Sequence, residues 1–112
     1  VLILGIAYRA GVKEDAFSGA HPLSSELARR GANPVALDPL YLPEEVVSLG
    51  LSPCTGFETV DAIIVHTDHP EFEDYCENTF PHVEVVVDGR NLLSPKKWAS
   101  TLLITLGKPQ PL

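Results

Sequence analysis

Hydrophobic residues occur along the chain in short, nearly continuous runs, separated by longer stretches of mixed polarity. The first run, Val1–Ile6, contains no charged residue and has the composition of a strand that is covered on both faces of a sheet. Similar runs predict further strands downstream, and a shorter run predicts one more at 51–54. In chain order, the predicted strands are Val1–Ile6, Asn33–Leu37, Leu51–Cys54, Ala62–His66, Val83–Val87 and Thr101–Leu106.

The stretches between these runs carry the features of helices. From about Gly19 to Arg30, Leu23 and Leu27 lie four positions apart on one helical face, and Gly31 supplies a C-terminal stop. Ser18 is a candidate N-terminal cap for this helix. Shorter helices, each with a proline near its start, are predicted at about Pro43–Leu49, Pro70–Asn78 and Ser94–Trp98.

Strands that alternate with helices are typical of a parallel sheet with helices on both faces. We therefore predict an α/β fold, a three-layer α/β/α sandwich with a mostly parallel, Rossmann-like sheet of five to six strands. The length of 112 residues fits one domain, 1–112, with a loose tail over 107–112. The chain begins with Val1 rather than Met, which indicates a segment excised from a longer protein, with N-terminal processing as the alternative.

Charge and cysteine content narrow the class of protein. The formal net charge is −7, which argues against partners such as nucleic acid or an anionic membrane, because both require a basic face. No apolar run is long enough for a transmembrane helix. The two cysteines, Cys54 and Cys76, are too few for a disulfide framework and predict reduced thiols in a cytoplasmic protein.

Tyr8 and Arg9 directly follow the first predicted strand. In open parallel sheets, ligands bind outside the carboxyl ends of the strands, near the point where the strand order reverses. At that edge the ring of Tyr8 can stack on a flat base, and the guanidinium of Arg9 can pair with a phosphate. The alternative is a surface loop with a solvated arginine.

Arg90 follows the fifth predicted strand, within the segment Asp88-Gly89-Arg90-Asn91. Gly89 is expected to let the backbone turn sharply after the strand. Arg90 would then point from the carboxyl edge of the sheet, where an anion would bind. The alternative is a turn in which Arg90 forms a salt bridge with Asp88.

Other chemistries have less support in the sequence. A metal site at His66–His69 would need further ligands, and no partner cluster is evident, so a turn that shapes the pocket is preferred. A dinucleotide site would need Gly-x-Gly-x-x-Gly after the first strand, but only Gly5 and Gly11 are present. We therefore interpret Asp38, after the second strand, as a turn former. Neither cysteine has a pattern for nucleophilic catalysis, and no catalytic, cofactor-binding or metal-binding residue is predicted.

Several short motifs occur along the chain in a specific order. They are Gly5-Ile6-Ala7-Tyr8-Arg9, Val12-Lys13-Glu14-Asp15, Ser18-Gly19-Ala20, Asp38-Pro39, Thr67-Asp68-His69 and Asp88-Gly89-Arg90-Asn91. Together they resemble the C-terminal, UDP-binding domain of the UDP-glucose/GDP-mannose dehydrogenase family. The resemblance extends from Val1 to about Leu106.

This resemblance implies a role within a larger enzyme. The chain would hold the nucleotide end of a UDP-sugar in an NAD-dependent 6-dehydrogenase, which oxidises the sugar C6 alcohol to a carboxylate in two steps. An N-terminal Rossmann domain would bind most of the NAD, and a central dimerisation region would carry the catalytic Cys and Lys. The full-length protein would be a homodimer or a higher oligomer, and the chain alone would be inactive. The alternative is an independent α/β regulatory or nucleotide-binding module.

The resemblance also implies substrate-binding roles for Tyr8, Arg9 and Arg90. The family usually has Lys at the position of Arg9, and Arg retains the capacity to bind phosphate. The family often has a cofactor-contacting Arg at the position of Ala16, so no cofactor contact is carried over to this chain. No metal is implied.

Overall fold

The computed structural model of the protein describes residues 1–16 and 18–107, so the predicted loose tail lies, from residue 108 onward, outside the described residues. The strands and α-helices are β1 (Leu2–Leu4), α1 (Ala20–Arg29), β2 (Val35–Leu37), α2 (Pro43–Ser48), β3 (Ala62–Val65), β4 (Val85–Asp88) and β5 (Leu102–Thr105). The 3-10 helices are Pro70–Asp74, Glu77–Thr79 and Pro95–Trp98. No helix within these described ranges has the length and apolar character needed to cross a bilayer.

The strands form one five-stranded parallel sheet in the order β2-β1-β3-β4-β5. The predicted α/β class is therefore confirmed, and every strand pair of the sheet is parallel. The chain passes from β1 to β2 on one side and returns to β3 on the other side of β1. The carboxyl ends of β1 and β3 consequently form the point of reversal at which open sheets bind ligands.

Both faces of the interior strand β1 are buried, as its apolar sequence predicts. Leu2 and Leu4 face a core that is covered by the 3-10 helices, whereas Ile3 faces α1 and α2, because successive side chains of a strand point to opposite faces. The large residues of the first core are Ile63, Val65, Phe72, Phe80 and Trp98. The second core gathers Ala36, Val46 and Leu51, with Leu23, Leu27 and Leu49 packed against it.

The layer formed by α1 and α2 covers the sheet unevenly. Ile64 lies in register with Ile3, and Val87 and Ile104 continue the same row towards the edge of the sheet. These three side chains are only partly buried, and Leu102 on the edge strand is 60% exposed. The two helices therefore pack mainly over β1 and β2.

The predicted strand at Leu51–Cys54 is wrong, because only an isolated parallel bridge between Ala36 and Pro53 forms there. The Ala36 N–H donates to the Ser52 carbonyl at 2.8 Å, and the Cys54 N–H donates to the Ala36 carbonyl at 3.0 Å. The segment therefore continues the sheet beyond β2 by one bridge and not by a strand.

The predicted helix at Pro70–Asn78 is also wrong, because two 3-10 helices, Pro70–Asp74 and Glu77–Thr79, replace it. The backbone is extended at Cys76, where its N–H donates to the hydroxyl oxygen of Thr79 at 3.1 Å. A side-chain hydroxyl that binds the backbone competes with the helical hydrogen-bond pattern. The predicted short helix at 94–98 is likewise of the 3-10 type.

Candidate functional site

The carboxyl ends of β1 and β3 approach each other at Gly5 and Thr67. Gly5 has φ +104°, and a Cβ atom built on it would lie 2.2 Å from the Cβ of Thr67. The Thr67 hydroxyl donates to the carbonyl of Ala7 at 2.8 Å. Only glycine fits position 5, since both the backbone angle and the close approach exclude a side chain.

A tight turn after β1 presents the predicted residues Tyr8 and Arg9. The Val12 N–H donates to the Arg9 carbonyl at 3.3 Å, and Gly11 adopts φ +75° at the third turn position, as a type II turn requires. The Tyr8 ring is 55% exposed. Arg9 is exposed as well, and forms no ion pair with any residue in the described ranges. Both side chains are thus available to a ligand.

Lys13 attaches the far side of this loop to α2. Its ammonium group pairs with Glu45 and lies 5.3 Å from the centroid of the Tyr41 ring. Glu45 also accepts a hydrogen bond from the Leu42 N–H at 2.9 Å. This backbone contact, together with Lys13, lowers the pKa of the Glu45 carboxyl, so the anchor is charged at neutral pH.

Asp38 has a wider role than the predicted turn former. Its Oδ1 accepts the Leu40 N–H at 2.8 Å, which makes the expected turn. Its Oδ2 accepts the N–H groups of Ile6 at 2.7 Å and Ala7 at 2.9 Å. The same oxygen lies 2.9 Å from Nε2 of His69. The fully buried carboxylate therefore joins the ends of three strands.

The two histidines that follow β3 are both engaged with protein atoms. Nδ1 of His66 lies 3.1 Å from the Gly5 carbonyl, and His69 contacts Asp38. Burial lowers the pKa of His66, and the positive charge of Arg90 lowers it further. Within residues 1–16 and 18–107, no group of three or more His, Cys, Asp or Glu residues is arranged to hold a metal ion.

Arg90 does not form the salt bridge with Asp88 that the sequence left open. The buried Asp88 carboxylate accepts backbone N–H groups, from Arg90 at 3.0 Å and from Leu92 and Leu93 at 2.8 Å each. The Arg90 guanidinium instead lies 3.5 Å from Asp68, with both side chains partly exposed. Such a long, exposed contact holds the guanidinium weakly.

The sharp turn expected at Gly89 lies two residues further along the chain, at Asn91. Gly89 does not have a positive φ, whereas Asn91 has φ 55°. Gly89 is required for a different reason, because a Cβ atom on it would lie 2.9 Å from the carbonyl oxygen of Val65. The ends of β3 and β4 therefore also approach too closely for a side chain.

The predicted site residues lie on one edge of the sheet, on either side of the end of β3. Tyr8 and Arg9 follow Ala7, which contacts Thr67, and Arg90 contacts the next residue, Asp68. Two guanidinium groups and an exposed aromatic ring can together bind phosphate oxygens and a flat base.

Two clefts lie away from this edge. One, of about 460 Å³, is lined at the amino ends of the strands by Val1, Asn33 and Asp61. The other, of about 440 Å³, is lined by Cys54, Phe57 and other residues of the 54–58 segment. Neither of these two clefts is lined by Arg9 or Arg90.

The connection from β1 to α1 does not fit a dinucleotide. Residues 5–19 separate the strand from the helix, whereas the dinucleotide fingerprint needs a short glycine-rich turn that leads directly into the helix. The candidate cap Ser18 accepts the Ala20 N–H at 3.1 Å and donates to the Ile6 carbonyl at 2.6 Å, while Gly19 occupies the N-cap position. Ser18 therefore holds the end of this loop onto the sheet.

The parallel sheet with helices on both faces defines an α/β domain, and Tyr8, Arg9 and Arg90 follow the carboxyl ends of its strands. The UDP binding domain of the UDP-glucose/GDP-mannose dehydrogenase family matches residues 2–95. The chain therefore belongs to this family, as the ordered motifs predict.

Individual relatives agree with this assignment. The chain is 27% identical over 120 residues to the UDP-glucose 6-dehydrogenase TuaD of Bacillus subtilis, covering 97% of this chain and 26% of that protein. A UDP-D-ManNAc dehydrogenase structure from Pyrococcus horikoshii is 25% identical, with a TM-score of 0.69. The match covers 95% of this chain and 25% of that chain. The UDP-N-acetyl-mannosamine dehydrogenase Cap5O of Staphylococcus aureus has the same fold, with a TM-score of 0.74 at 17% identity. This match covers 95% of this chain and 25% of that chain. The chain thus spans about a quarter of the length of these relatives.

Proposed function

We propose that this chain binds the UDP portion of a UDP-sugar through Tyr8, Arg9 and Arg90. The observation that carries the proposal is the pair of exposed arginines at one carboxyl edge, in a chain whose formal net charge is −7. In a protein with a net negative charge, two guanidinium groups at the edge where open sheets bind ligands favour an anionic ligand. Membership of a family defined by UDP binding selects the diphosphate.

Each side chain has a distinct proposed contact. Arg9, without a carboxylate partner among the described residues, pairs with one phosphate group. Arg90 exchanges its long contact with Asp68 for a second phosphate contact. The exposed Tyr8 ring stacks on the uracil.

The dehydrogenase activity belongs, in this proposal, to a longer cytoplasmic protein, an NAD-dependent 6-dehydrogenase that converts the sugar C6 alcohol to a carboxylate. NAD would bind mainly to an N-terminal Rossmann domain, and the catalytic Cys and Lys would lie in a central dimerisation region. Support comes from the relatives, which are dehydrogenases about four times as long as the stretch that this chain covers. The long β1–α1 connection, which does not fit a dinucleotide, agrees with a cofactor held elsewhere.

A titration with UDP, followed by NMR and calorimetry, tests the binding proposal. We expect amide shifts at Tyr8, Arg9 and Arg90. Arg9→Gln and Arg90→Gln should each weaken binding about 10-fold or more, since a hydrogen bond to a charged group contributes about 1.5–3 kcal/mol. Arg29→Gln is the control, because it removes the same charge from the exposed face of α1.

The control variant distinguishes a specific UDP site from general charge attraction. An equal loss of affinity in Arg29→Gln would indicate general electrostatic attraction and not the proposed site. Absence of UDP binding would contradict the proposal altogether. For the catalytic part, formation of NADH from a UDP-sugar and NAD by the 112-residue chain alone would contradict the assignment of the chemistry to other domains.

A further inference from the structure

His69 is a fully buried histidine that connects two loops of the proposed site. Its Nε2 lies 2.9 Å from Oδ2 of Asp38, and its Nδ1 lies 3.4 Å from the backbone N of Gly11. The ring packs edge-on against Phe72, with centroids 5.5 Å apart. The imidazole is therefore held in one orientation, with both nitrogen atoms in use.

The partners of His69 fit one tautomer of its ring. Oδ2 of Asp38 also accepts the N–H groups of Ile6 and Ala7, so the carboxylate acts only as an acceptor and Nε2 must carry the proton. The Gly11 N–H is only a donor, so Nδ1 must be unprotonated. The two contacts together fit the tautomer with its proton on Nε2.

We propose that His69 is a positioning residue for nucleotide binding, because it fixes the turn that presents Arg9. This inference rests on the proposed function. Gly11 is the third residue of the turn that begins at Arg9, and its N–H connects the tip of this turn to the buried pair. Asp38 holds the start of the same loop through Ile6 and Ala7. One buried pair therefore anchors the loop at two points, and Lys13 anchors its far side on α2.

The expected effect on binding follows from preorganisation. The turn around Arg9 is exposed, and an exposed loop that a ligand must first order binds that ligand more weakly. The bond between Gly11 and His69 supplies this order before UDP arrives. Loss of the bond should weaken UDP binding even though His69, being buried, does not touch the ligand.

Two substitutions separate the two contacts of His69. In His69→Gln, the glutamine side chain is long enough to place an N–H near Asp38, but the Gly11 N–H loses its acceptor. In His69→Asn, the amide oxygen can accept from Gly11, but Asp38 loses a donor. We expect His69→Gln to accelerate hydrogen exchange at the Gly11 amide and to weaken UDP binding about 2- to 10-fold, as for one ordinary hydrogen bond.

His69→Asn should give the opposite pattern, with a lower thermal midpoint but a protected Gly11 amide and UDP affinity nearer to that of the wild type. The exposed His82→Gln serves as the control and should change none of these quantities. A merely structural histidine would instead lower affinity in proportion to stability in both variants, and that result would overturn the inference. Wild-type affinity in His69→Gln would overturn it as well.

Measurements without UDP test the inference even if the proposed function fails. Nitrogen-15 NMR of the wild-type imidazole should show protonated Nε2 and unprotonated Nδ1 at neutral pH. A protonated Nδ1, or unchanged exchange of the Gly11 amide in His69→Gln, would overturn the positioning role. Absence of UDP binding to the wild-type protein would contradict the proposed function and, with it, the role of His69 in binding.

Discussion

A Cβ atom on Gly5 would lie 2.2 Å from the Cβ of Thr67 and 2.6 Å from its backbone nitrogen, so the ends of β1 and β3 meet without room for a side chain. The contact is central to the proposed site, because Tyr8 and Arg9 follow Gly5 and Asp68 follows Thr67. Gly5 also has φ +104°, which an L-residue rarely adopts. Both constraints act at the same position.

Gly5→Ala should therefore destabilise the fold by more than about 3 kcal/mol, through backbone strain combined with overpacking against β3. The matched control is Gly31→Ala, where φ is +91° but nothing lies within 4 Å of the added Cβ. That substitution should cost only about 1–2 kcal/mol, from the backbone conformation alone. Urea denaturation measures both, and similar losses would contradict the steric role of Thr67.

Asp88→Asn should lower the free energy of unfolding by about 1–3 kcal/mol. The two carboxylate oxygens of Asp88 accept three backbone N–H groups, at Arg90, Leu92 and Leu93. An asparagine can orient its oxygen towards only one side, which leaves its NH₂ group facing an N–H donor. Asp61→Asn, at an exposed carboxylate, is the control and should stay within about 0.5 kcal/mol of the wild type. An Asp88→Asn variant as stable as the wild type would show that the fold does not need these contacts.

Asp68→Asn should strengthen UDP binding about 2- to 5-fold, because it removes a carboxylate that competes with phosphate for Arg90. Stability should change by less than about 0.5 kcal/mol, since the ion pair is exposed and long. Calorimetry at low and high salt measures the affinity, and the gain should shrink as salt screens the charges. Asp74→Asn, at an exposed residue after Phe72, is the control for net charge. If Asp74→Asn strengthens UDP binding as much as Asp68→Asn does, the gain comes from net charge and not from release of Arg90.

His66 should make the stability of the protein fall in mild acid. Burial lowers its folded-state pKa, and Arg90 adds to this, while the Gly5 carbonyl and Asp38 oppose the shift. The unfolded chain, with an ordinary histidine pKa of about 6.5, therefore takes up the proton first. The contribution of His66 is complete above about pH 6.5 and is lost as the pH falls through the lower folded-state value.

Urea denaturation between about pH 7.5 and pH 5 measures this loss. The relevant quantity is the difference between the wild type and His66→Gln, because this difference isolates the contribution of His66. The variant should lose less stability than the wild type on acidification. Identical slopes would contradict the assigned effect of burial.

The strands were predictable because each is a dense apolar run that is buried by the sheet. β1 is the clearest case, since Leu2, Ile3 and Leu4 leave no polar position on either face. The predicted strand at 51–54 failed, since only one bridge forms there, at Pro53. The predicted helix at 70–78 failed because the Thr79 hydroxyl accepts the backbone N–H of Cys76.

The candidate site was predictable in position but not in its contacts. The sequence left open a salt bridge between Arg90 and Asp88, yet the partner of Arg90 is Asp68, on a neighbouring strand end. The buried pair of Asp38 and His69 spans 31 positions and was not recognised. Its only signal in the sequence is that each polar residue follows shortly after an apolar strand.

The sequence by itself determined the order of strands and helices and the residues that follow each strand, because burial and turn preferences are local properties of a segment. The tertiary structure decided which strand ends became neighbours. The order β2-β1-β3-β4-β5 brings the residues after β1 and β2 beside those after β3, so that Asp38 and His69 together hold the loop of Arg9. Polar partners are selected by spatial approach between distant segments, and no local pattern encodes that approach.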